Sequence, residues 1–140
     1  MNKSGTRAVV IGGGIGGSLA ARVLTEKFEQ VFVVERDRYH PDGPYHRAGV
    51  PQDRHVHNML LRGQHILEEL FPSITAKLMA QGAIRGNLLH DVVARYSSGW
   101  IPHPNVPPSV LDGYFCSRLL LEWEVRQEVA KYDQVRFLEG

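Results

Sequence analysis

The sequence predicts an α/β fold, an incomplete doubly wound parallel sheet, from three adjoining features. A β-branched apolar run at residues 8–11 ends on glycine, a helix-patterned segment follows, and a second β-branched run, QVFVVE at residues 30–35, stops on an acid. Apolar runs without polar alternation suit central parallel strands covered on both faces. Strand, glycine turn, helix and strand in that order make a βαβ unit, whose crossover is expected to be right-handed.

Each element is justified in turn. Residues 7–11 form the first strand, and Ile15, Leu19 and Val23 then recur every four residues with Ala20, Leu24 and Phe28 beside them, one apolar helix face. After the strand 30–35, residues 36–62 are rich in His, Pro, Gly and Arg without a period and read as a long loop, a kind that is usually functional or disordered. A helix is expected over 58–71, ended by Pro72, and a shorter one over 73–81, capped by Ser73 and closed before Gly82. HDVVARYSSGWIPH, residues 90–103, reads as a small β-hairpin around a Ser-Gly turn, with PNVPPS as a loop after it. A last helix starts on Ser117 as cap with Leu121, Val125 and Val129 on one face, and QVRFLEG is the third parallel strand. A full doubly wound sheet has five or six strands. Residues 1–140 are therefore read as a single, partial domain of something larger, the alternative being a compact small domain closed by the hairpin.

Composition bounds the function. At 140 residues the chain holds about one domain's worth of core, and 43% hydrophobic with 22% charged residues is an ordinary globular balance. Sixteen Lys and Arg against fifteen Asp and Glu leave a net charge of +1, which points away from nucleic acid. The lone Cys116 cannot make an internal disulfide, which fits a reducing compartment. The opening MNKSGTRAVV lacks a signal-peptide apolar core and no run approaches the roughly 20 apolar residues of a membrane span, so a cytoplasmic protein is expected.

The glycine turn carries the chemistry. In GGGIGG, Gly12, Gly14 and Gly17 match G-x-G-x-x-G: the first for the tight turn, the second for approach of a pyrophosphate, the third for close helix packing. Ile15 and Gly16 complete the turn, and the helix N-terminus presents N–H groups and its positive dipole end to phosphate. Glu35 ends the second strand at the spacing that lets a carboxylate accept the hydroxyls of an adenosine ribose. A carboxylate there repels a 2′-phosphate, which favours FAD or NAD over NADP in a Rossmann-like site. Spacing alone does not separate those two.

The stretch VVIGGGIGGSLAARVLTEKFEQVFVVERD resembles the opening βαβ unit of FAD-dependent oxidoreductases, and most of all the flavoprotein monooxygenases, the aromatic hydroxylases and epoxidases. HRAGVPQDRHVHNMLLRGQHILEELFP resembles that family's Arg- and Gly-containing loop and helix, SRLLLEWEVRQEV its Arg-led helix, and VRFLEG its next strand, so the likeness runs from Arg7 to Gly140. The resemblance implies an enzyme that binds FAD, reduces it with NAD(P)H, and uses O2 on a small organic substrate. It implies that Gly12, Gly14 and Gly17 line the pyrophosphate and that Glu35 holds the ribose. Arg36 would lie by the adenine, Arg47 would reach the pyrophosphate or the nicotinamide cofactor, and Arg118 would contact the FAD phosphates. The family's later Asp-Gly segment and Gly-Asp motif are absent here, so the 140-residue chain is not expected to turn over alone. A saturating flavin reductase of the geranylgeranyl-reductase type, a non-catalytic NAD or adenine-nucleotide module and an inactive truncated fragment stay open as alternatives.

Other residues carry less. His55 and His57 lack a third ligand at metal-site spacing, Cys116 reads as a buried inert thiol, Glu68 and Glu69 as a solvated helix face, and Trp100 and Trp123 as packing residues. No catalytic residue is assigned, because oxygen activation in such enzymes belongs to the flavin.

Overall fold

The computed structural model describes residues 4–100 and 112–140. Among them the elements in chain order are β1 (Gly5–Ile11), α1 (Ile15–Leu24), β2 (Phe28–Glu35), a 3-10 turn (Pro51–Arg54), β3 (Val56–Leu60), α2 (Leu61–Leu70), α3 (Ile74–Ala80), β4 (Ile84–Asn87), β5 (Arg95–Tyr96), β6 (Gly99–Trp100), β7 (Asp112–Ser117), α4 (Arg118–Val129) and β8 (Val135–Glu139). They fall into two compact units, residues up to 55 with 117–140, and residues 56–116. No helix among the described residues is long and apolar enough to cross a membrane.

The first unit is the α/β layer. Its sheet has the order β1-β2-β8, parallel throughout, which is the 3-2-1 half of a doubly wound sheet. Val31 and Val33 of β2 are fully buried, as are Ala21 of α1 and Val125 and Val129 of α4, and α1 lies against β1, β2 and α4. The alternate residues behave differently. Ile11, Val34 and Leu138 share one row across the three strands, and with Val9 they stand 90%, 40%, 49% and 63% exposed. One face of the sheet is therefore packed, while the other is apolar and open.

Phe28, expected on the first helix, opens β2 instead. The helix stops at Leu24 because the N–H groups of Thr25, Glu26 and Lys27 fold back onto its last carbonyls and the Thr25 hydroxyl donates to Arg22 C=O at 2.7 Å. Ser117 is the expected cap of α4, its Oγ accepting from Leu120 N–H at 3.1 Å.

The second unit is an antiparallel sheet in the order β3-β7-β4, together with α2, α3 and the β5–β6 hairpin. Its core is Leu67, Phe71, Ile74, Leu78, Ala83 and Tyr114. The hairpin forms where expected, with Gly99 at φ +122; the end of its segment, residues 101–103, and the PNVPPS loop lie outside the described residues. α3 closes as foreseen, Gly82 taking φ +101 while Ala83 N–H donates to Leu78 C=O at 2.9 Å, but Ser73 makes no side-chain cap. Three strands, β3, β4 and β7, have no counterpart in the sequence reading. β3 takes Met59 and Leu60 from the expected helix, so α2 begins at Leu61; β4 is built from IRGN, a poor strand composition whose pairing is supplied by β7.

Candidate dinucleotide-binding site

The glycine turn joins β1 to α1. Gly12 sits at φ +93, strained for any other residue, and donates to Val34 C=O at 2.8 Å. A Cβ on Gly17 would run into the Gly12 carbonyl and come within 3.3 Å of Val10, so the helix can approach the strand only with glycine there. Gly14 is the N-cap of α1 and offers no side chain, and the first backbone bond of the helix runs from Ser18 N–H to Gly14 C=O at 2.9 Å. The leading N–H groups of α1, through Ile15, Gly16 and Gly17, have no intrahelical acceptor, the usual state of a helix start and the usual seat of an anion.

That helix start opens on a cleft of about 640 Å³ at the carboxyl ends of the strands, lined by Gly12, Gly14, Glu35, Arg36, Arg118 and Glu122 among others. Glu35 is 8% exposed, and its carboxylate accepts from Gly13 N–H at 2.8 Å and Asp37 N–H at 3.1 Å. Burial pushes the Glu35 pKa up, but those two N–H groups and the Arg47 cation together hold it below the usual carboxylate value. Arg36 is exposed, with its Nε 3.9 Å from Asp37. Arg118 lines the cleft at the start of α4, its Nη2 3.5 Å from Glu122 and its buried Nε without a hydrogen-bond partner.

Arg47 is placed differently from its neighbours. Its side chain is 6% exposed and does not line the cleft; Nη1 lies 3.2 Å from Glu35 and 3.6 Å from Asp37, and Nη2 donates to Glu122. Its backbone N–H donates to the buried Asp53 carboxylate at 3.1 Å, which also stands 2.9 Å from His46 Nδ1.

Four residues of this wall escaped the sequence reading. Glu122 follows Arg118 by one helical turn, a spacing visible in the sequence but indistinguishable there from a surface pair. Asp37 and Asp53 brace Glu35 and Arg47 as described. Tyr39 donates its hydroxyl to Gly13 C=O at 2.8 Å, and its ring lies between the guanidinium groups of Arg47 (4.9 Å) and Arg126 (4.0 Å). A Cβ on Gly13 would overlap that hydroxyl, so a side chain at this glycine, outside the fingerprint positions, would have to displace Tyr39.

No group of three or more His, Cys, Asp or Glu among the described residues is arranged to hold a metal, and His55 is tied in through its backbone, its N–H donating to Gln52 C=O at 3.2 Å and its C=O accepting from Arg118 N–H at 3.3 Å. Cys116 is buried and its thiol is pushed up to about 11, which suits an inert cysteine. Glu68 is not simply solvated: it accepts from Gln64 and from Thr75 Oγ1 at 2.6 Å, tying α2 to α3, whereas Glu69 is exposed.

No family model matches the chain. It is 35% identical over 132 residues to Protein Rv3254 of Mycobacterium tuberculosis, an alignment that covers 94% of this chain and 28% of that protein. Among solved structures it superposes on PqsL, a probable FAD-dependent monooxygenase from Pseudomonas aeruginosa, with TM-score 0.65 and 18% identity, over 96% of this chain and 33% of PqsL. The fold is that of FAD-dependent monooxygenases. The flavin-dependent halogenase CmlS (TM-score 0.59, 21% identity, 99% of this chain and 23% of its own) and the peptidyl tryptophan dihydroxylase QhpG (0.59, 18%, 96% and 25%) share it. The chain thus spans less than a third of the curated relative it matches.

Proposed function

We propose that this chain is the FAD-binding part of a flavin-dependent oxidoreductase of the monooxygenase type, working with NAD(P)H and O2 on a small organic substrate. One observation carries the reading: the helix start of α1, Glu35 and Arg118 line a single cleft at the carboxyl ends of parallel strands. The residues fit the cofactor's chemistry. The N–H groups from Gly14 to Gly17 suit the pyrophosphate, Arg118 carries a buried donor in need of an acceptor, and Glu35, held ionised, suits the adenosine ribose. Arg36, exposed beside the same strand end and 3.9 Å from Asp37, suits the adenine side.

FAD when bound would supply the redox chemistry; this part of the protein orients it and neutralises its phosphates. Groups that hold the ribityl chain and the substrate would come from other parts of the polypeptide. Purification of the full-length protein under gentle conditions, followed by reconstitution, should give a yellow product with flavin absorbance in one-to-one amount. A colourless protein that takes up no FAD overturns the proposal.

A further inference from the structure

We propose that Arg47 is a positioning residue for the adenosine ribose, acting through Glu35, and not a ligand of phosphate or nicotinamide. The inference rests on the dinucleotide reading above. Arg47 is withdrawn from the cleft that both of its main partners line: its side chain is 6% exposed, and Glu35 and Glu122 line the cleft while Arg47 does not. Its Nη2 is hydrogen-bonded to Glu122 and its Nη1, which makes no hydrogen bond, is ion-paired with Glu35 and Asp37, while the Tyr39 ring lies against the guanidinium and Asp53 accepts from the backbone N–H.

Moving Arg47 to a phosphate would take the nearer cation away from two buried carboxylates, a costly change in a low-dielectric interior. Kept in place, it does something specific to Glu35. Oε2 faces Gly13 N–H and Arg47, and Oε1 takes Asp37 N–H, so both oxygens are anchored from the protein side. The acceptor capacity that is left belongs to the cleft, where a ribose hydroxyl can donate. The cation left for the phosphates is then Arg118, which lines the cleft where Arg47 does not.

The test uses the full-length protein freed of cofactor, with Arg47→Met, Arg47→Lys, Glu35→Gln and the corresponding double variants. Each is titrated with FAD and with an FAD analogue lacking the 2′-hydroxyl of the adenosine ribose. Arg47→Met should weaken FAD on the order of 10- to 100-fold. That loss should shrink to a few-fold in the Glu35→Gln background and with the deoxy analogue, Arg47→Lys should recover part of it, and the KM for NAD(P)H should stay unchanged. An equal loss with and without Glu35, or a raised KM for NAD(P)H with FAD affinity intact, overturns the proposal. If Arg47→Met does not fold, Arg47→Lys carries the same cycle. A wild type that binds NAD but not FAD overturns the flavin reading alone, and the cycle is then read on the adenosine ribose of NAD; one that binds neither overturns both.

Discussion

Glu35 is where the chemistry of the cleft concentrates, because a buried carboxylate must be bonded or protonated. Its folded pKa lies below the ordinary 4.5, so its contribution to stability is complete above that pH and is lost as pH falls through the folded value. Glu35→Gln should flatten this acid limb in thermal melts recorded from neutral pH downward, and should weaken FAD binding by about 1.5 to 3 kcal/mol, measured by titration of the full-length protein. Gly13 gives a sharper steric case. Gly13→Ala places a methyl on the Tyr39 hydroxyl and should lower the melting temperature and cofactor affinity together. Adding Tyr39→Phe removes the overlapping oxygen and leaves the ring carbon 3.0 Å away, so the double variant should regain part of the stability; no recovery in a double-mutant melt would count against this account.

At the scale of elements, α4 joins packing to function. It buries Leu121, Val125 and Val129 in the first unit while presenting Arg118 and Glu122 to the cleft. Leu121→Ala should cost about 2 to 5 kcal/mol in denaturant unfolding, and Ser117→Ala, which removes the cap on Leu120 N–H, about 1 kcal/mol. The elements of the βαβ unit and α4 were legible in the sequence, since each has its own hydrophobic period and a glycine, acid or serine to end or start it. β3, β4 and β7 were not. IRGN has little strand propensity of its own, and its register, Ile84 to Phe115 through Asn87 to Asp112, exists only because β7 lies beside it.

For the whole molecule, the open sheet face sets the expected behaviour. Val9, Ile11, Val34 and Leu138 expose a continuous apolar surface across three strands. Produced by itself, the 140-residue chain should bind a hydrophobic dye and self-associate in size-exclusion chromatography, and Ile11→Lys should reduce both. A dye-silent monomer would show that this surface is closed in solution. The relative it matches is more than three times as long, and we expect the longer polypeptide to cover the same face.

Sequence alone determined the parallel βαβ unit, the glycine turn and the acid at the tip of the second strand, because these depend on periodicity and on spacings within 30 residues. Tertiary structure decided which side chains surround that acid. Arg47 meets Glu122 across 75 positions and Tyr39 meets Gly13 across 26, pairings that no local pattern encodes. Whether an arginine faces a ligand or stands behind a carboxylate depends on how helix α4 and the loop after β2 pack against the turn, and only the folded chain brings those surfaces together.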